Sequence, residues 1–243
     1  MYCLDVKHRN QVYQNLKTVF LTEKSMPEIH SLARRFFINL GANVAEFLRL
    51  PSCSPEYLKR HVTFNGIEHF HEAMSRGKGA VLMTLHYGNW ELPMLAFSSF
   101  GYPENLIYKA QARSSGFNRF MLASRMTAYQ RFHQIRLFER GMGARKLFES
   151  LKRQELIGMV IDQGGKEGVP VEFFGRTARF SDGGIRLAFK TGAAMCAGGL
   201  IRRRGLNHEL MIHPFEPVME HEDEDQNVQA TLQRAVHLFE QMI

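Results

Sequence analysis

The residues of this chain best suited to chemistry are a histidine and a carboxylate five positions apart, His86 and Glu91, in the stretch Thr84-Leu85-His86-Tyr87-Gly88-Asn89-Trp90-Glu91-Leu92. An imidazole takes a proton from an alcohol most effectively when a carboxylate orients it and stabilises its charged form. Five positions separate two side chains by about 140° around an ideal helix and put them on opposite faces of a straight strand. They therefore need a turn between them. The apolar run 80–83 reads as a buried strand, and Gly88 with Asn89 as a turn into helix. His86 then ends the strand and Glu91 lies in the first helical turn. A satisfied core histidine and a solvated first-turn acid fit the same residues, and an HxxxxE pattern alone does not choose between the readings.

A second polar pair, Asp162-Gln163, follows the short apolar run 156–161, which has the character of a buried parallel strand. Open α/β sheets bind ligands at the carboxyl ends of their strands, so His86 and Asp162 are expected to face one crevice. A turn cap is the other reading of Asp162. Farther on, Ser181-Asp182 is expected to cap a helix over 183–190 that Gly192 terminates, with exposed amides suited to an anion. Arg202-Arg203-Arg204-Gly205 reads as a hairpin turn, whose arginines are either solvated or, beside a cleft, anion-binding. His61, His69 and His71 give only an HxH spacing without a carboxylate cluster or cysteine, a weak metal signal. Cys3, Cys53 and Cys196 are scattered and read as reduced thiols.

The elements that must hold these residues alternate. An amphipathic helix is expected within 1–24. A second begins at Ser25-Met26-Pro27-Glu28, a serine-to-glutamate capping box, and carries Ile29, Leu32, Ala33, Phe36, Phe37, Leu40, Val44, Phe47 and Leu48 at helical spacing up to the prolines at 51 and 55. That apolar width suits either a core or a bilayer interface. Beyond it come a helical turn over 56–60, a strand over 62–64, a helix over 67–76, the strand before His86 and an apolar helix over 92–100. Next are a strand at 106–108, a basic segment 109–119, a helix bearing Arg119 and Arg125, a strand at 135–138 and an amphipathic helix after Gly141 and Gly143. An extended segment at 171–174, strands over 193–201 and 209–212, and a final helix with Val228, Leu232, Ala235, Val236 and Phe239 on one face complete the chain. The expected architecture is α/β: one domain, 1–243, with 1–50 a helical N-terminal part and a central mixed, largely parallel sheet flanked by helices. The 243 residues carry a net charge of +7, which favours phosphate-rich partners: nucleic acid, anionic lipid surfaces or a phosphorylated substrate. No base-reading module favours the first. No apolar run of about 18 residues and no export signal is present, so the sequence is expected neither to span a membrane nor to be exported, and lying on a membrane surface stays open.

Together these pieces resemble the lipid A biosynthesis acyltransferases, the late lauroyl and myristoyl transferases of Gram-negative bacteria, from about Arg9 to the last residue. His86 to Glu91 looks like their HxxxxD/E box in its glutamate form, and Asp162-Gln163 like their second signature. Phe173-Phe174-Gly175-Arg176 matches their FFG element, and 184–192 their short helix of the form xRLAxxTGA. The resemblance implies a glycerolipid-acyltransferase-like fold. The implied activity is transfer of a fatty acyl group from acyl carrier protein, or coenzyme A, to a hydroxyl of a lipid A precursor; another glycolipid or a lysophospholipid is the alternative acceptor, and an inactive remnant the alternative state. His86 would be the base and Glu91 its partner, with Asn89, Arg125, Asp162, Gln163 and Arg176 on substrate. Acyl carrier protein or acyl-CoA is then the donor, a phosphorylated glycolipid the acceptor and an anionic membrane the surface, with no nucleic acid and no metal or redox cofactor. The implied location is peripheral, on the cytoplasmic face of the bacterial inner membrane. Members usually start with a membrane helix and end in a tryptophan- and arginine-rich tail, so both ends are expected to be shortened here.

Overall fold

The computed structural model of the chain describes residues 6–108, 116–132, 134–139 and 143–243. Expectations for Cys3, Gly141 and most of the basic segment 109–119 lie outside these residues. The chain falls into two compact units, 1–50 and 51–243, the first being the expected helical N-terminal part.

The first unit is a helical pair, α1 (Val6–Phe20) and α2 (Met26–Arg49). The Ser25 amide donates to Glu28 Oε2 at 2.8 Å, which supplies one of the orphan amides of the helix start with a partner. Tyr13 of α1 meets His30 of α2 edge-on, ring centroids 5.0 Å apart. Ile29, Ala33, Phe37 and Phe47 are buried, whereas Phe36, Ile38, Val44 and Leu48 are exposed among Arg34, Arg35 and Arg49. Among the described residues no helix is long and apolar enough to cross a membrane.

The second unit follows the order α3 (Pro55–His61), β1 (Val62–Asn65), α4 (Ile67–Ser75), β2 (Ala80–Thr84), α5 (Leu92–Ser99), β3 (Glu104–Tyr108), α6 (Gly116–Gln130), β4 (Ile135–Glu139), α7 (Gly143–Lys152), β5 (Leu156–Val160), β6 (Val169–Phe173), β7 (Arg176–Phe180), α8 (Gly183–Thr191), β8 (Ala194–Arg202), β9 (His208–Phe215) and α9 (Glu224–Met242). Seven strands form one sheet in the order β1-β9-β8-β2-β5-β3-β4. β8, β2, β5, β3 and β4 run parallel, β9 is antiparallel to β8, and β1 is parallel to β9. The central strands are apolar because helices cover both faces. On one face Val81, Met83, Ile157 and Met195 pack with Leu147 and Leu151 of α7, Ile185 of α8 and Leu232, Val236 and Phe239 of α9. On the other, Phe97 of α5 meets Phe64 and Phe70 edge-on or tilted, at 5.3 and 5.0 Å.

The FFG segment turned out to be a hairpin. β6 and β7 form a separate antiparallel ribbon with Phe173 opposite Arg176, and both intervening residues have positive φ, Phe174 at 48° and Gly175 at 69°. Those angles suit the primed turns that match strand twist, and glycine takes the second position without strain. The ribbon's free edge is tied to α9. The Gln233 amide accepts from Glu172 N at 2.8 Å and donates to Glu172 O at 2.9 Å, and Phe174 N donates to the Glu240 carboxylate. Asp182 precedes α8, but its carboxylate makes no cap bond; Arg186, one turn on, takes it at 2.6 Å.

Candidate active site

Strand register brings the site together. Thr84 of β2 lies opposite Val160 of β5 in a parallel pair, so His86 and Asp162, each two residues past its partnered position, leave the sheet side by side. Ile161 N donates to Thr84 O at 2.9 Å, which carries the pairing beyond the strand end. His86 Nδ1 sits 2.7 Å from Asp162 Oδ1, and His86 N donates to Asp162 Oδ2 at 3.1 Å. An ionised carboxylate only accepts, so Nδ1 carries the hydrogen and Nε2 holds the lone pair. Both side chains are partly open, at 31% and 25% exposure, so Nε2 belongs to a ring that substrate can approach. Trp90 meets the imidazole edge-on at 5.4 Å.

The expected partnership of His86 with Glu91 is therefore corrected. Glu91 is buried and accepts a fork from Arg125 of α6: Nε reaches Oε2 at 2.9 Å, and a second guanidinium nitrogen reaches Oε1. The cause is the turn itself. Asn89 Oδ1 accepts from Glu91 N at 3.0 Å and from Leu92 N at 3.3 Å, starting α5 and aiming Glu91 inward. A carboxylate at 8% exposure needs a charged, bidentate partner, and α6 supplies it. The guanidinium of Arg125 is raised above its ordinary value by its hydrogen bonds to Glu91. Beside them the buried Tyr129 phenol is pushed up by burial and then by the Glu91 charge.

Two more expected substrate contacts are reassigned by this geometry. Asn89 is 2% exposed and serves as the helix-starting acceptor, and Arg125 points at Glu91. Gln163, next to Asp162, is exposed, and so is Arg176 at the ribbon's turn. The amides of the turn are partly committed. Asn89 N donates to Leu200 O at 2.9 Å, and the amides of Glu91 and Leu92 belong to Asn89, which removes these three from the candidates for an oxyanion hole. Gly88 is required where it stands: φ is +61° and an added Cβ would lie 2.0 Å from Leu200 O.

Two of the three histidines bond elsewhere. His61 bonds Asn207 at 2.9 Å and His71 bonds Tyr102 at 2.5 Å, and among the described residues no three His, Cys, Asp or Glu side chains gather as metal ligands. Sequence reasoning missed Tyr87. Its hydroxyl donates to Met242 O at 3.1 Å and pins the His86 turn to the end of α9, a contact 155 residues apart that no local pattern signals.

Residues 2–243 match the family described as bacterial lipid A biosynthesis acyltransferase. The chain belongs to this family. It is also similar to curated phosphatidylinositol mannoside acyltransferases. The Mycobacterium tuberculosis protein is 27% identical over 158 residues, 62% of this chain and 48% of that one. The Mycolicibacterium smegmatis protein is 27% identical over 155 residues, 62% and 49% respectively. The chain spans about half the length of the curated relatives it matches.

Proposed function

We infer that the protein transfers a fatty acyl group from a thioester to a hydroxyl of a glycolipid. The observation that carries this reading is the 2.7 Å contact between His86 Nδ1 and Asp162 at the end of two adjacent parallel strands. In the proposed reaction His86 Nε2 removes the proton of the acceptor hydroxyl while Asp162 stabilises the imidazolium that forms. The oxygen attacks the thioester carbonyl, the tetrahedral intermediate collapses with cleavage of the C–S bond, and the imidazolium returns the proton to the departing thiolate. The products are an ester and a free thiol. Glu91 and Arg125 hold the turn from which His86 projects.

Family membership supports an acyl donor and a glycolipid acceptor. A lipid A precursor is the first acceptor to test and a mannosylated phosphoinositide the second, since the relatives named above act on the latter class. The exposed apolar residues of α2, interleaved with arginines, support a peripheral location on an anionic membrane, which we place at the cytoplasmic face of the inner membrane. The test is release of free thiol from an acyl thioester with each acceptor and with none. His86→Ala is expected to lose about 10²-fold or more in kcat while keeping the parent's melting temperature. Near-parental turnover by a folded His86→Ala protein would remove the assignment.

A further inference from the structure

The strand pairing that seats His86 beside Asp162 ends irregularly. In a parallel ladder with Thr84 opposite Val160, the next bonds run from Ile161 N to Thr84 O and from His86 N to Ile161 O. The first is made, at 2.9 Å. The second is replaced: His86 N donates to Asp162 Oδ2 at 3.1 Å, and Ile161 O accepts from Ser181 N at 2.7 Å. Ser181 therefore stands where the continuation of β2 would have met β5, next to the base and its carboxylate. A further bond fixes it there. Gly164 N donates to Arg179 O at 3.1 Å, so the end of β7 brackets Asp162 and Gln163 opposite Phe180. The approach is close: a Cβ added at Gly164 would lie 2.7 Å from the carbonyl of Phe180, whose side chain is buried. The FFG hairpin thus has a consequence at the site, because its second strand delivers Ser181 to Asp162.

Ser181 is half-buried, and among the described residues its hydroxyl has no hydrogen-bond partner. Its Oγ lies toward the first residue of α8, where a Cβ added at Gly183 would be 3.8 Å away. The carboxylate next to it in the chain is taken up elsewhere: Arg186 holds Asp182 at 2.6 Å and Asp225 at 2.5 Å, so the charge beside Ser181 is matched. Acyl transfer needs donors where the carbonyl oxygen takes up charge. The amides of Asn89, Glu91 and Leu92 are committed within the turn and to Leu200, whereas a hydroxyl without a partner is free to donate. We propose that Ser181 is a further catalytic residue whose hydroxyl donates a hydrogen bond to the thioester carbonyl oxygen as the acceptor oxygen attacks. The π pair of the C=O bond moves onto that oxygen, the hydroxyl hydrogen stays on Ser181, and the pair returns as the C–S bond breaks. This rests on the acyl-transfer reading and adds the donor that those three amides do not supply.

The test uses the full chain and a fatty acyl thioester, with a lipid A precursor, with a mannosylated phosphoinositide and with water alone as acceptor, since hydrolysis passes through the same tetrahedral intermediate. Ser181→Ala is expected to lower the single-turnover rate of thiol release by about 10²-fold and to leave KM within about threefold of the parent, because the bond is made in the transition state. Its melting temperature should match the parent's, since the hydroxyl bonds nothing in the folded protein. Ser181→Thr keeps a hydroxyl at the position and should stay within about tenfold of the parent. Nitrogen NMR of the His86 ring separates this role from a merely structural one: the Nδ1–H form should persist in Ser181→Ala. A parent that turns over while Ser181→Ala keeps its rate within about tenfold overturns the proposal and leaves the acyl-transfer reading intact. So do equal losses in the alanine and threonine variants, or a changed His86 tautomer, which would mean that Ser181 acts through the base. A parent that releases no thiol with any of the three acceptors overturns the acyl-transfer reading, and the role of Ser181 falls with it.

Discussion

Replacing Asp162 by asparagine separates the two carboxylates of the site. In the parent, Asp162 forces the hydrogen of His86 onto Nδ1 and leaves Nε2 basic. Asparagine at the same distance can donate as well as accept, so the ring is free to take the other tautomer, in which Nε2 carries the hydrogen and cannot act as base. The lost charge adds to this. At an effective dielectric between 20 and 80, unit charges about 4 Å apart interact by roughly 1–4 kcal/mol. The partial exposure of both side chains selects the lower part of that range. With about 1.36 kcal/mol per tenfold, the charge accounts for roughly ten- to a hundredfold in kcat, and the tautomer change brings the loss for Asp162→Asn to about 10²–10³-fold. Glu91→Gln has a different signature. It weakens a fork to Arg125 in which the carboxylate is buried and the guanidinium is 34% exposed, a cost of about 1–3 kcal/mol after discounting for solvent, or roughly 2–10 °C in Tm. The assay that separates them is nitrogen NMR of the His86 ring, which reports which nitrogen is protonated. Asp162→Asn should alter the tautomer with little change in Tm, and Glu91→Gln should lower Tm and keep the Nδ1–H form. The opposite assignment, with the tautomer following Glu91 and indifferent to Asp162, would refute the reasoning.

Two further perturbations act on the framework. Glu104 at the start of β3 is 1% exposed, and burial raises its carboxyl from 4.5 to about 8. The folded state therefore keeps a proton that the unfolded chain releases, so stability is flat below about pH 4.5 and falls as pH rises from there to about 8, by roughly 5 kcal/mol in all; urea midpoints at several pH values should show this slope, and Glu104→Gln should flatten it. Gly88→Ala places a Cβ against the Leu200 carbonyl at a positive φ and is expected to cost more than about 2 kcal/mol and to abolish activity. Gly175→Ala has the same backbone handedness but nothing within 4 Å, so about 1 kcal/mol is expected, and equal melting temperatures for the two variants would contradict the contact-based account.

The regular elements were legible because their signals are local. The Ser25–Glu28 box starts α2, and the apolar runs before His86 and Asp162 are the central strands β2 and β5. β7 was not legible: in Arg176-Thr177-Ala178-Arg179-Phe180 only alternate residues face the core, and polar residues cover the other side. The division after residue 50 was legible too, because Pro51 and Pro55 stop the long helix there. The turn that His86 and Glu91 need is present, but Asn89 caps it so that Glu91 goes inward, which the spacing does not show. Arg125, its partner, comes from a helix that begins 25 residues after Glu91, and no short-range pattern connects the two.

The division of labour between the carboxylates follows from the sheet. A group that orients a base must share its frame of reference, and two parallel strands with Thr84 opposite Val160 give His86 and Asp162 one frame, set by backbone hydrogen bonds rather than by side-chain rotamers. Asp162 can therefore remain half open to substrate without losing its aim. Glu91, one turn of chain beyond, enters a helix whose start is already fixed by Asn89, and its carboxylate goes to the interior, where only a charged partner makes it tolerable. Exchanging the roles would leave a buried carboxylate against an imidazole that must gain and lose charge in each turnover. With Arg125 as its partner, the interior pair keeps a constant charge through the proposed reaction, and the charge that changes in it is confined to the solvent-facing edge of the sheet.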